Sequence, residues 1–79
     1  MNKQTIYFEK DGKIYAAKKG ATIINVTDNK PAAVPVQDIV DRGNGRYSIL
    51  LFGGSHEGWD ESFEVEALDS LPEVGQDAQ

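Results

Sequence analysis

Residues 59–67, WDESFEVEA, decide how this chain folds. Read with a period of two, the stretch is a strand. Trp59, Phe63, Val65 and Ala67 then share one face, with Glu61 as the exception, and Asp60, Ser62, Glu64 and Glu66 share the other. Read with a period of 3.6, it is a helix with an N-cap at Asp60 and a stripe of Phe63, Ala67, Leu68 and Leu71 that stops before Pro72. Glu, Ala and Leu favour the helix. The exposed acidic alternation favours the strand, as does the hairpin-length loop GGSHEG (53–58) in front of it. The reading leans to a strand, with one short helix near residues 60–71 as the alternative.

Working back from there, RYSILLF (46–52) is apolar on both faces and reads as a central, covered strand. GNG (43–45) is a turn, because Asn-Gly accepts positive φ at both central positions. VQDIVDR (36–42) has strand character, whereas DNKPAAVP (28–35), with two prolines, reads as a loop. ATIINVT (21–27) is rich in β-branched residues and reads as a third strand. QTIYFEKDGKIYAAKK (4–19) is a hairpin turning at Asp11-Gly12. If Tyr7 and Tyr15 share a face of that hairpin, they make a cross-strand aromatic patch beside Lys13.

Five or six short strands with tight turns define a mainly β chain. The expected architecture is a small, strongly curved antiparallel sheet or barrel of SH3-like or OB-like size. The expected organisation is a single small β domain over residues 1–71 and a flexible tail over 72–79.

The chain has 79 residues and no Cys, so a modest core must hold it without a disulfide. Its first twenty residues carry no apolar h-region, and no run approaches membrane-spanning length. A soluble cytoplasmic protein is expected. The sequon NVT (25–27) then reads as chance.

Charge is distributed unevenly. Residues 1–30 carry +3 and residues 31–79 carry −8, for a net −5. From Glu57 onward there are eight carboxylates and no Lys or Arg. A net negative chain is a poor direct binder of nucleic acid, because phosphate contacts need Lys and Arg. Pairing of the basic start with the acidic end in the fold is one account of the asymmetry. An interaction surface is the other.

No catalytic constellation emerges. Ser55 and His56 are adjacent, so in an extended segment their side chains point apart. His56 with Glu57, Asp60 and Glu61 matches no metal-ligand spacing. No cofactor, metal or catalytic residue is therefore assigned.

The acidic row is the strongest feature. In a strand, Asp60, Glu64 and Glu66 share a face, and carboxylates two residues apart lie roughly 6.5–7 Å from one another. Phosphates along a DNA strand have a similar spacing, so such a row can imitate a nucleic-acid backbone. The expectation is a non-enzymatic acidic binding protein that occupies a basic surface of a protein partner. In class only, it resembles phage-encoded inhibitors that block bacterial defence nucleases. The expected partner-binding residues are Trp59, Asp60, Glu61, Glu64 and Glu66, with Trp59 as the anchor. The alternative is a structural β module of a virion or accessory subunit, self-associating through a strand edge.

Overall fold

The Asp-Gly and Asn-Gly pairs form the turns their chemistry predicts. In the computed structural model, which describes residues 5–69, β1 (Thr5–Lys10) and β2 (Lys13–Lys18) are joined by Asp11 and Gly12, at φ 54° and 80°. β4 (Lys30–Gly43) and β5 (Arg46–Leu51) are joined by Asn44 and Gly45, at φ 58° and 79°. Positive φ at both central positions is the type I′ geometry, which suits the right-handed twist of the flanking strands. β3 (Thr22–Asn25) lies between β2 and β4, and β6 (Ser62–Glu66) pairs with β5.

The six strands form one open antiparallel sheet whose spatial order is the chain order. The described residues contain no helix. Residues 59–69 therefore settle the ambiguity in favour of the strand. Phe63 and Val65 turn to the core, and Ser62, Glu64 and Glu66 turn to solvent. Tertiary packing of this period-two pattern overrides the helical propensity of Glu and Ala. The helix alternative fails over 60–69. Residues 70–71 and the expected tail over 72–79 lie outside the described residues.

The segment 30–35 corrects the expectation of a loop. It is the first part of β4, the longest strand at 14 residues. Its prolines are tolerated because the ladder is interrupted around them: Pro31 faces Ile24 and Pro35 faces Thr22, with a bulge between. In the bulge Ala33 adopts φ 59°, which lets Ala32 and Val34 both pack toward the core. A second irregularity falls between Val36 and Asp38. There the Asp38 carboxylate accepts the N–H of Ile39 at 2.9 Å. At these breaks β4 passes from one half of the sheet to the other. Its first part pairs with β3, and its second part pairs with β5.

Both halves contribute to one core. Phe8, Ala17, Ile23, Val34, Val36, Ile49 and Leu51 form a continuous buried cluster, lined at its margin by Tyr15, Trp59, Phe63 and Val65. The first hairpin presents its residues differently from expectation. Its two-residue turn sets Phe8 opposite Tyr15 and Tyr7 opposite Ala16. Tyr15 therefore joins the core margin while Tyr7 lies on the other face, so the condition for a Tyr7–Tyr15 patch is not met.

The third hairpin loop is held by polar contacts. Asn25 is 9% exposed, its amide donates to the Asp28 carboxylate at 3.1 Å, and its carbonyl accepts the Asp28 N–H at 3.0 Å. Asp28 also accepts a hydrogen bond from Lys13 Nζ at 2.8 Å. The amide of the sequon is thus buried and engaged in the turn. No helix among the described residues is long and apolar enough to cross a membrane.

Candidate functional site: the groove between the first and last strands

The open sheet leaves β1 and β6 as its two edges, and they face each other across a groove of about 640 Å³. One end is fastened. Leu68, just beyond β6, donates its N–H to the carbonyl of Tyr7 at 2.8 Å. Among the described residues this is the sole backbone hydrogen bond between the two edges, and past it they form no ladder.

The floor is aromatic. Trp59 packs edge-on against Tyr15, with ring centroids 5.1 Å apart, and lies 5.5 Å from Phe63, while Phe8 sits 6.0 Å from Phe63. Such tilted and edge-to-face pairs contribute about 0.5–1.5 kcal/mol each beyond simple burial. Trp59 is fixed by a small internal hairpin. Its N–H donates to the His56 carbonyl at 2.7 Å, and the His56 N–H donates back to the Trp59 carbonyl at 3.0 Å. Gly58, at φ 82°, supplies the turn between them. The loop 53–58 thus places the only Trp at the groove.

The rim is acidic. Glu9 of β1, Asp60, Glu64, Glu66 and Asp69 line it, with one cation among them. That cation is Lys10, whose ammonium lies 4.6 Å from the centroid of the Trp59 ring. It also approaches Asp11 at 3.2 Å. A half-exposed cation–π contact of this kind contributes about 0.5–1 kcal/mol.

The expected site residues separate into groups. Trp59, Asp60, Glu64 and Glu66 meet at the groove. Glu61 does not. Its carbonyl accepts the Leu51 N–H at 2.8 Å, and the residue lines a different surface, beside Gly53 and Gly54. Asp60 precedes β6, so only Glu64 and Glu66 of the row stand on one regular strand. Glu64 lies 3.9 Å from both Arg42 and Arg46 and is thus partly compensated. Phe8, Glu9 and Lys10 complete the groove and were not among the expected site residues.

The ion pairs of the described residues bear on one of the two accounts of the charge asymmetry, pairing of the basic start with the acidic end. Among the described residues, lysines of the first half pair with Asp11, Asp28 and Asp38, and only Arg42 and Arg46 meet an acid of the last strand. Glu57, Asp60, Glu61, Glu66 and Asp69 have no ion-pair partner among them. His56 directs Nε2 toward the Phe52 carbonyl at 3.3 Å. No group of three His, Asp or Glu side chains among the described residues is arranged to hold a metal ion.

Comparison with protein families, with characterised proteins and with solved structures finds no match to this chain.

Proposed function

We propose that this is a non-enzymatic binding protein whose acid-rimmed groove engages a basic surface of a protein partner. The observation that carries the reading is the placing of Lys10 over Trp59. The chain's own ammonium occupies an aromatic face surrounded by carboxylates, which is the environment a partner's Lys or Arg would seek. The strong curvature expected from the sequence, short of closure into a barrel, belongs to the same reading, with the Leu68–Tyr7 hydrogen bond between the two edges of the open sheet in its favour, and so does a cytoplasmic location.

A sharper form makes the acids an imitation of nucleic-acid phosphates, directed at a nucleic-acid-binding or nuclease complex as in phage-type inhibitors. It draws on Glu64 and Glu66 alone, because Asp60 stands off the strand and Glu61 lies elsewhere. The alternative reading, a self-associating assembly module, draws on the two open strand edges.

The test is retention of partners from a cell lysate on the immobilised protein. Asp60→Lys with Glu66→Lys is the informative variant, since neither residue is ion-paired among the described residues. Loss of retained basic proteins in that variant, with retention kept in Glu57→Lys away from the groove, is the expected result. Equal retention by both variants would rule the groove out. Sedimentation that shifts with concentration would favour the assembly module.

A further inference from the structure

The hydrogen-bond phase of β6 carries the binding mode one step further. The Ala67 N–H donates to the Gly45 carbonyl and the Leu51 N–H to the Glu61 carbonyl, each at 2.8 Å. In an antiparallel ladder the backbone groups of alternate residues turn to opposite sides. Residues 61, 63, 65 and 67 thus turn their N–H and C=O groups to β5, and residues 62, 64, 66 and 68 turn theirs to the open edge. The Leu68 N–H, which meets Tyr7 across the gap, confirms the phase. The donors and acceptors of Ser62, Glu64 and Glu66 consequently face the groove, and among the described residues no backbone group pairs with them.

From this, the geometry points to strand addition: an extended segment of the partner protein, alternating basic and apolar residues, pairs with the free edge of β6 and lies in the groove. This rests on the groove being the partner-binding surface proposed above. Alternation follows from the pleat, because an added strand continues both faces of β6. Its outward residues would lie beside Glu64 and Glu66, where Lys or Arg is complementary. Its inward residues would lie beside Phe63 and Val65, over the Trp59 and Phe8 rings, where apolar side chains fit. β6 is the preferred edge, since it offers three successive outward residues, whereas β1 beyond its bond to Leu68 offers Glu9 next to the cation of Lys10. A second copy of this chain fits poorly. Two β6 edges would set like charges opposite each other, and the outward row of β1, with Tyr7 and Glu9, supplies no cation to β6.

The experiment uses the intact protein and an acetylated peptide alternating lysine with valine or phenylalanine. Binding is read from the fluorescence of Trp59, the only tryptophan. Two further peptides carry N-methyl groups at alternate residues, one in each phase, which keeps the side chains and removes the donors. Saturable binding is expected, weakened by roughly tenfold or more in one N-methyl phase. Amide exchange of Glu64 and Glu66 should slow, with little change at Phe63 and Val65, which already bond to β5. Binding that is indifferent to N-methylation and leaves Glu64 and Glu66 exchanging freely overturns strand addition while leaving the acidic groove as the binding surface. No saturable binding also overturns strand addition, and the lysate experiment with Asp60→Lys and Glu66→Lys then decides separately whether the groove reading stands. Protection of the same two amides by dimer formation without peptide overturns it in favour of a second copy.

Discussion

The ammonium of Lys10 lies 4.6 Å from the ring centroid of Trp59, so the only tryptophan of the chain is covered by a cation from the opposite sheet edge. If the groove takes basic segments, Lys10 competes with them. Lys10→Gln is expected to lose about 0.5–1 kcal/mol of stability and to bind the basic peptide several-fold more tightly. Parallel urea denaturation and Trp59 fluorescence titrations check both effects. Weaker binding by the variant would show that Lys10 assists the ligand.

The core is small, so single truncations weigh heavily. Ile49 is fully buried and lies in the cluster shared by both halves of the sheet. Ile49→Ala should cost about 2–5 kcal/mol and Ile49→Val about 0.5–1.5 kcal/mol. The urea midpoints of the two variants should fall in that order. A midpoint for Ile49→Ala within error of the parent would contradict the described core.

Ala33 holds φ 59° without being glycine. A left-handed conformation costs an L-residue roughly 1–2 kcal/mol, and the extra freedom of glycine in the unfolded chain returns about 0.4–1 kcal/mol of that. Ala33→Gly should therefore stabilise the protein modestly, by about 0.5–1 kcal/mol. Thermal melts compare the two chains, and a lower midpoint for the variant would refute the strained bulge.

The Lys13–Asp28 pair should leave a signature at both ends of the pH range. The hydrogen bond from Lys13 is the main cause that holds the Asp28 carboxyl below its ordinary value near 3.8. The same hydrogen bond raises the Lys13 ammonium above its ordinary 10.5. A depressed acid stabilises above its unfolded value, and that stabilisation is lost as pH falls through the folded one. A raised base stabilises below its unfolded value and loses this as pH rises through the folded one. The stability difference between the parent and Asp28→Asn should be level at intermediate pH and shrink at both extremes. Urea midpoints across the range test this, and a difference that stays constant would remove the pair from the ledger of pH effects.

Much of the fold is legible in short stretches. Asp-Gly and Asn-Gly announce two type I′ hairpins, and the two-faced apolar run of β5 announces a central strand. The pairing of Phe8 with Tyr15 is also readable in principle. A two-residue turn at Asp11 and Gly12 fixes Lys10 opposite Lys13, and every further pair follows by counting outward. The first part of β4 is not readable in the same way. Pro31 and Pro35 argue against a ladder, and only the bulge at Ala33 reconciles them with one. At the site, Trp59, Asp60, Glu64 and Glu66 stand out by local composition. Lys10 and Phe8 do not, because their meeting with Trp59 depends on how the first edge approaches the last, which no local pattern encodes.

The single Leu68–Tyr7 bond has a kinetic consequence. Every ladder in the sheet joins strands that are neighbours in sequence, and such short-range closures form early and at little entropic cost. The bond between the two edges closes the longest loop of the described chain and has no ladder beside it to share the load. It is therefore the contact expected to form last in folding and to open first in the folded state. In the protein's own fluctuations the Leu68 end of the groove therefore opens while the Phe8–Phe63 and Lys10–Trp59 contacts across its floor still hold.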